Sequence, residues 1–405
     1  MRYVLIADAY LPMRTSAAVQ VSDLAEEFVR QGHSITVIVP DSGANEKFSL
    51  SEEYSGSLKI VRIKTPRSRE VGLVRRTIAE IIAPFVMLIQ IRRNGLHFID
   101  GSNGVIWYSP SIFFGPLVSF LKRKLGCATY LIVRDIFPDW ALDMGLIRRG
   151  PAYFFFRAFA NLQYSVADNI GVQSQGNKRF FSSWRRPGSK NLEILENWLA
   201  PNEMDQRPVC SIDIARTKLG GRKIFVYAGN MGLAQGVDQM LELVKTHKNE
   251  QDVGFVFIGR GSELNKMKQI ADQEQLSNLL FYPEISHLEI PALYEQCDVG
   301  IVSLDPRHRS HNIPGKFLTY MRSGLPVLAL IGPDNDLARL IQDCHVGQVC
   351  SSSAGSELQK AASEILELAK SGPKVKNNCR SLYEGAYTSS IAVRKLVYSL
   401  SRADT

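Results

Sequence analysis

The chain has 405 residues, of which 45% are hydrophobic and 22% charged, and its formal net charge is +8. At about 150 residues per domain this length predicts two or three domains, and the apolar fraction excludes a largely disordered chain. The most apolar runs, at 81–89 and 105–120, are too short or too interrupted by proline for the roughly 20 residues of a membrane-spanning helix.

The six cysteines show no C-x-x-C pair and no regular spacing, so neither a zinc site nor a disulfide framework is predicted. The N-terminal run MRYVLIADAY lacks the long apolar core and the cleavage site of a signal peptide. Both features favour a protein of the reducing cytoplasm. Basic residues are concentrated in the first half, but no nucleic-acid-binding module accompanies them, so nucleic acid is not expected as a partner.

The first forty residues predict a strand, a helix and a second strand. The helix at 19–32 has apolar residues at spacings of three and four and ends at Gly32, and continuous apolar runs lie on either side of it, at 2–8 and 33–40. Continuous apolar strands are typical of parallel sheets that are covered on both faces. The pattern therefore predicts a βαβ unit.

The segment 67–95 mixes six arginines with two glutamates around a dense apolar run. One structure that fits this pattern is a buried helix whose charged ends reach the solvent. Another is an interfacial helix that is attracted to anionic lipids. The segment by itself favours neither.

The same order of elements returns near residue 223. Strand, loop and helix follow one another over 223–249, and a strand at 253–259 precedes a helix at 260–276. Between the halves, the stretch 196–208 is polar, carries two prolines and has no sustained periodicity. A domain boundary is predicted there.

The expected fold is α/β, with one Rossmann-like domain at 1–200 and a second at 201–379. A terminal helix at about 380–405 is expected to pack back on the first domain. Two such domains with parallel sheets facing a central cleft would place the carboxyl ends of both sheets, where ligands bind, at one site.

Two loops of the second domain carry glycines between a strand and a helix. GNMGLAQG has glycines at 229, 232 and 236, and GRGSEL has them at 259 and 261, so neither matches the G-x-G-x-x-G motif, and no P-loop is present. Such loops suit a phosphate held by backbone N–H groups and a helix dipole. The helix from Gly315 adds Lys316 in its first turn, where a cation is unfavourable unless an anion lies nearby.

These motifs resemble those of the GT-B glycosyltransferases of family 4, over nearly the whole chain. The resemblance rests on RQGHSITVIVP, VRDIFPDWALDMGL, YAGNMGLAQGVDQML, FIGRGSE and IPGKFLTYMRSGLPVL, taken in this order and spacing. GNMG together with P-x-K-F is most similar to the WbuB-like group of L-fucosamine transferases, which act in O-antigen and capsule synthesis.

The resemblance implies transfer of a sugar, N-acetyl-L-fucosamine or another acetamido sugar, from a UDP-sugar with retention at the anomeric carbon. It implies neither a metal nor another cofactor, and the D-x-D spacing at 334–336 is typical of a turn. The implied acceptor is a saccharide linked to undecaprenyl diphosphate. We therefore expect a cytoplasmic enzyme held peripherally on the inner membrane, which favours the interfacial helix within 67–95 and an anionic membrane surface as partner.

The resemblance implies Asp135, His311 and Lys316 as catalytic residues. Asp135 matches the position that faces the donor sugar, with a helix N-cap role as the alternative. Lys316 and the N-terminus of its helix would meet the charge of the departing diphosphate. His311 has the alternative of a loop histidine without a role. Expected substrate-binding residues are Ser16, Arg134, Asn230, Met231, Gly232, Gln235, Gly259, Arg260, Ile285 (near the uracil), Arg309, Pro314, Gly315 and Thr319.

Four positions depart from the family pattern. His311 and Thr319 replace the two glutamates of E-x7-E, so the usual contacts to sugar and ribose are missing there. Asn230 and Gln235 replace the cations of Arg-x5-Lys, which leaves Lys316, Arg260 or Arg309 to neutralise the diphosphate. In place of the family's Gly-Gly loop, Thr15 and Ser16 could cap the helix or touch the diphosphate.

Two other functions stay open. A UDP-sugar 2-epimerase of the same fold would need acid and base groups, and the seven histidines form no obvious set. The lost carboxylates and cations also allow a noncatalytic UDP-sugar-binding subunit of a polysaccharide synthesis complex.

Overall fold

The structure is a computed structural model that describes residues 1–13, 15–41, 50–67, 71–184, 191–201, 209–307 and 312–402. Two predicted site residues, Arg309 and His311, lie outside the described residues. The chain divides into two compact units, one formed by Met1–Ala200 with Ser389–Thr405 and the other by Pro201–Thr388.

The first unit is built on an eight-stranded sheet in the order β3-β4-β2-β1-β5-β6-β7-β8, in which β3 is antiparallel to β4 and the other pairs are parallel. The strands are β1 (Arg2–Ile6), β2 (Ser34–Asp41), β3 (Leu50–Ser55), β4 (Leu58–Lys64), β5 (Gly104–Tyr108), β6 (Ala128–Ile132), β7 (Asn169–Val172) and β8 (Asn191–Ile194).

Helices cover both faces of this sheet, as the continuous apolar strands require. They are α1 (Ser16–Arg30), α2 (Leu73–Asn94), α3 (Gly115–Leu125), α4 (Asp139–Asp143), α5 (Pro151–Val166) and α6 (Gln175–Lys178), followed by a 3-10 turn at Arg179–Trp184. Buried side chains of α2, α3 and α5 share one core with the strands, and those of α1 belong to the core on the opposite face.

The second unit is built on a six-stranded, fully parallel sheet in the order β11-β10-β9-β12-β13-β14. Its strands are β9 (Lys223–Ala228), β10 (Val253–Ile258), β11 (Leu279–Tyr282), β12 (Val299–Ser303), β13 (Val327–Leu330) and β14 (Gly347–Cys350). Its helices are α7 (Val237–Thr246), α8 (Leu264–Gln273), α9 (Ile290–Tyr294), α10 (Gly315–Ser323), α11 (Asp336–Asp343), α12 (Gly355–Lys370) and α13 (Pro373–Ala386), with 3-10 turns at Ile214–Arg216 and Leu233–Gln235.

The segment predicted as one terminal helix from residue 380 is interrupted in the structure. Helix α13 packs on α10 and belongs to the second unit, whereas α14 (Ser389–Arg402) packs on α1 in the first. The interruption follows from Tyr387, which is buried and lies edge-on to Phe317, with ring centroids 6.4 Å apart. Two residues later the backbone N–H of Ser389 donates to the carbonyl of Leu199, which brings the chain back to the first unit.

Each sheet reverses its strand order next to its first strand, between β1 and β5 in one unit and between β9 and β12 in the other. In doubly wound sheets the loops at the carboxyl ends of two such strands diverge and leave a crevice in which ligands bind. The fold therefore directs attention to the loops after β9 and β12. None of the helices in the described ranges is long and apolar enough to cross a bilayer.

Candidate functional site

Two glycine loops meet at the carboxyl ends of β9 and β10. A Cβ added to Gly259 would lie 2.1 Å from the carbonyl oxygen of Gly229, and one added to Gly261 would lie 2.1 Å from that of Met231. Gly259 and Gly261 also have φ values of 139° and 153°, which residues with a side chain rarely adopt. Only glycine lets the two backbones lie this close.

Backbone hydrogen bonds hold the two loops together. The N–H of Met231 donates to the carbonyl of Arg260 (2.7 Å), and the N–H of Glu263 donates to the carbonyl of Met231 (3.0 Å). The Tyr227 hydroxyl, at the end of β9, donates to the carbonyl of Asn230 (2.7 Å). Met231 itself is fully buried, so it anchors the loop in the core, while Asn230 is exposed.

Lys316 lies in the first turn of α10 and reaches the first glycine loop. Its Nζ lies 3.6 Å from the ring centroid of Tyr227 and 3.5 Å from Oε1 of Gln235. A Cβ added to Gly229 would be 3.4 Å from the Lys316 Cε. Burial lowers the pKa of Lys316 to about 7. In the described part of the chain no carboxylate pairs with this amine, so an incoming anion would be its first full counter-charge.

Packing of α10 on the sheet sets the position of Lys316. The Tyr320 hydroxyl donates to the carbonyl of Val226 (3.1 Å), and the Tyr320 ring fills the space over Gly300, where an added Cβ would be 2.7 Å from the ring. Pro314 occupies the N-cap position, and none of the described side chains caps the helix. Among these residues, the first-turn N–H groups therefore have no side-chain acceptor.

The remaining predicted residues of this unit have mixed surroundings. Arg260 is exposed and its Nε lies 3.3 Å from a carboxylate oxygen of Glu284, next to the half-buried Ile285. The Thr319 hydroxyl donates within its own helix, to the carbonyls of Gly315 and Lys316. The structure thus brings together Asn230, Met231, Gly232, Gln235, Gly259, Arg260, Pro314, Gly315 and Lys316.

In the first unit Arg134 is buried rather than open to a ligand. Its two terminal nitrogens donate to the carbonyls of Leu195 (3.0 Å) and Glu196 (3.2 Å), and its guanidinium lies 4.4 Å from the centroid of the Trp198 ring. With 5% of its surface exposed, it ties two segments of the unit together. The predicted substrate contact of Arg134 is therefore replaced by a structural role.

The helix ends of the first unit show which residues cap α4 and α1. The N-cap of α4 is Pro138, so Asp135 does not cap that helix, and it is half-buried just after β6. The N-cap of α1 is Thr15, whose hydroxyl oxygen accepts from the N–H of Ala18 at 3.2 Å. Ser16 is the exposed first residue of α1.

Tyr227, Gly261 and Glu284 were not among the predicted site residues, although Gly261 was noted within its glycine loop. Tyr227 lies in a continuous apolar strand, where an aromatic residue is expected to be core. The signal for Gly261 is present in the sequence, because two glycines two residues apart after a strand favour a backbone that must pass close to another.

Residues 212–381 match the family described as Glycosyl transferases group 1. The chain is 26% identical over 314 residues to "Probable glycosyltransferase WbjE" of Pseudomonas aeruginosa, covering 75% of each chain. It is 22% identical over 317 residues to "Putative colanic acid biosynthesis glycosyl transferase WcaI" of Escherichia coli (strain K12), covering 75% of this chain and 76% of the relative.

Among solved structures, an alpha,alpha-trehalose-phosphate synthase (UDP-forming) from Burkholderia xenovorans, in complex with glucose-6-phosphate, superposes with a TM-score of 0.73. The match covers 99% of this chain and 100% of that one at 11% sequence identity, so it bears on the fold alone. Together with the two parallel-sheet units, it confirms the predicted α/β architecture: the chain has the GT-B fold, and the match to glycosyl transferases group 1 lies within its second unit.

Proposed function

We propose that the protein is a glycosyltransferase that moves a sugar from a UDP-sugar to a saccharide linked to a polyprenyl diphosphate, in the synthesis of O-antigen or capsule. The observation that carries the proposal is the position of Lys316, a half-buried lysine without a carboxylate partner in the described residues, beside two glycine loops at the crevice of a GT-B sheet. The group 1 domain over 212–381 supports the reaction class.

The second unit would bind the donor. Backbone N–H groups of the 229–232 loop and of the first turn of α10 would donate to the diphosphate oxygens, and Lys316 would supply the charge. When the bond between the anomeric carbon and the diphosphate oxygen breaks, negative charge grows on the departing UDP. Donors already in place stabilise that charge more in the transition state than in the ground state. Asn230 and Gln235 add neutral polar groups for the same oxygens.

The donor sugar in this proposal is N-acetyl-L-fucosamine or another acetamido sugar, as in the WbuB-like group, and the anomeric configuration is retained. Asp135 and His311 stay the predicted groups facing the sugar. Since Lys316 and the helix N-terminus provide positive charge, transfer is proposed to proceed without a metal. Support for a surface polysaccharide as product comes from a relative whose name includes colanic acid biosynthesis. The proposed location is the cytoplasmic face of the inner membrane.

The test incubates purified protein with UDP-N-acetyl-L-fucosamine, or UDP-GlcNAc, and a polyprenyl-diphosphate-linked GlcNAc, and follows UDP release and the lipid product with and without EDTA. Transfer that survives EDTA, with the product anomer assigned by NMR, supports the proposal. Conversion of UDP-GlcNAc without acceptor would show a 2-epimerase. Tight UDP binding without turnover under any of these conditions would show a noncatalytic subunit.

A further inference from the structure

Helix α2 is apolar on two opposite sides. One side, with Ala79, Ala83, Met87 and Ile91, is buried on the first sheet. The other side carries five large apolar residues that are between 39% and 74% exposed: Val74, Ile78, Ile82, Phe85 and Ile89. At 3.6 residues per turn these five lie within an arc of about 80° and extend for about 22 Å along the helix. A continuous exposed stripe of this kind indicates an interaction site.

Basic residues stand at both ends of this stripe. Arg75 and Arg76 lie in the first turn of α2, and Arg92 and Arg93 lie in the last. Arg76 pairs with Glu80 one turn later, with 2.7 Å between Nε and Oε1. Arg75 has the same position at the helix start, where a cation opposes the helix dipole. Helices α2, α3 and α5 together contain eight lysines and arginines and a single acidic residue, Glu80.

A second apolar patch lies on α5, where Phe154, Phe155 and Leu162 are exposed. Helix α3 packs against both α2 and α5 and exposes Arg123 and Lys124. Because the three helices cover the same face of the first sheet, their solvent sides point in the same direction. We call this surface, formed by the exposed residues of α2, α3 and α5, the outer helix face.

The positive charge of the outer helix face indicates which kind of partner binds there. A second copy of the chain, related by two-fold symmetry, would bring the same surplus of positive charge to the contact, which is unfavourable. A nucleic acid would neutralise the arginines but leave the apolar stripe in water. A bilayer with anionic headgroups satisfies both features, because lipid tails accept the stripe and headgroups pair with the arginines around it.

We propose that the outer helix face docks on an anionic bilayer, with α2 lying parallel to the surface and its stripe at the boundary of headgroups and acyl chains. The arginine side chains at both ends of α2 extend to the headgroups while their methylene groups stay in apolar surroundings. This inference deepens the proposed function, because a polyprenyl-linked acceptor is available only at such a surface. It concerns the first unit alone and holds independently of donor binding.

The experiment measures flotation of the full chain, without donor or acceptor, with vesicles of phosphatidylcholine alone or with 30 mol % phosphatidylglycerol. We expect Ile78→Asn with Phe85→Asn to weaken binding to anionic vesicles about tenfold or more. Arg75→Gln with Arg93→Gln should weaken it by about thirtyfold, since each basic residue near such a surface contributes about 1 kcal/mol. Matched controls in the second unit, Leu288→Asn and Lys268→Gln with Lys360→Gln, remove exposed groups of the same kinds and should leave binding unchanged.

Insertion is measured directly by brominated-lipid quenching of Phe85→Trp, with Tyr398→Trp on α14 as the control on the opposite face. Quenching of the first alone supports the proposal. Unchanged binding of the Ile78 and Phe85 variant, or loss of only the electrostatic component, would overturn it. So would concentration-dependent dimers that the same variant abolishes. Vesicle binding without any sugar transfer would refute the proposed function but still support docking of the outer helix face on a bilayer.

Discussion

Each unit has a cation near the carboxyl ends of its strands, buried in the case of Arg134 and half-buried in the case of Lys316, and the two cations have different surroundings. Arg134, just after β6, donates to two backbone carbonyls and lies against the Trp198 ring. Lys316 has a tyrosine ring and one amide oxygen beside it, with no carboxylate partner in the described residues. We interpret a cation that bridges two backbone carbonyls as one that holds the fold, and a cation beside only a ring and a neutral amide as one that can bind an anion.

The difference follows from the chemistry of the two side chains. A guanidinium presents several donors in a rigid plane and stays charged at all physiological pH values, so it can bridge two carbonyls permanently. A lysine amine can lose its proton when it is buried, which makes an empty site tolerable. One unit thus has a structural cation after β6, and the other has a candidate ligand-binding cation at the start of α10.

The largest effect is expected at Arg134. Arg134→Met keeps much of the volume but leaves the carbonyls of Leu195 and Glu196 without their donor, which should cost about 3 kcal/mol of unfolding free energy. All four tryptophans precede residue 200, so tryptophan fluorescence during urea unfolding reports on the first unit. UDP-sugar affinity of the folded protein should stay within twofold. A variant as stable as the parent chain would show that the two hydrogen bonds contribute nothing.

For Lys316 we expect the reverse of Arg134, a loss of UDP-sugar affinity without a loss of stability. Lys316→Ala should weaken UDP-GlcNAc binding about thirtyfold or more by calorimetry, the loss of about 2 kcal/mol from a charge-assisted contact. Stability should not fall, because a half-buried amine without a carboxylate partner in the described residues contributes little to the free energy of unfolding. Lys268→Ala removes an exposed lysine of the same unit and serves as the control. Equal affinities in the two variants would refute the anion site.

The sequence predicted the role of Lys316 but not that of Arg134. Lys316 could be found because a cation in the first turn of a helix conflicts with the dipole, which is a local property. The partners of Arg134 are 61 and 62 residues away in the chain, and no periodicity reports such contacts. Both parallel sheets were predictable from continuous apolar strands, whereas the packing of Tyr227 against Lys316 was not, because a strand aromatic is core by default.

The same limit applies to α2. The run at 81–89 is apolar in almost every position, so its sequence is compatible with a buried helix and with an interfacial one. The structure contains both features, since one side of the helix is buried and the opposite side is exposed. Only the burial pattern, which depends on neighbouring elements, assigns each residue to its side.

An intermediate effect is expected from adding a methyl group where the two glycine loops touch. Gly259→Ala would place a methyl group 2.1 Å from a backbone oxygen at a φ of 139°, so the loops must separate, at a cost of about 2 kcal/mol. Far-UV circular dichroism should show earlier unfolding while the tryptophan transition stays in place, and UDP-GlcNAc affinity should fall with it. Gly332→Ala, with open space around its Cβ position, is the matched control.

The smallest expected effect is a pH dependence of UDP-GlcNAc affinity, which a lysine at position 316 produces and an arginine does not. The pKa of Lys316 is lowered to about 7 in the empty site, so above that pH the amine is neutral. A bound diphosphate favours the ammonium and raises this pKa again, so binding takes up a proton. Affinity for UDP-GlcNAc, whose diphosphate diester does not titrate in this range, should be constant below about pH 7 and fall by up to about tenfold per unit above it.

Calorimetry in buffers of different ionisation enthalpy would measure that proton uptake, which should approach one proton per ligand at pH 8.5. Lys316→Arg carries its charge at every pH used, so its affinity should be independent of pH and its proton uptake should be zero. A parent chain whose affinity is equally flat would mean that Lys316 is already charged in the empty site. The amine would then be charged without a ligand, as Arg134 is, and the proposed difference in protonation between the two cations would be wrong.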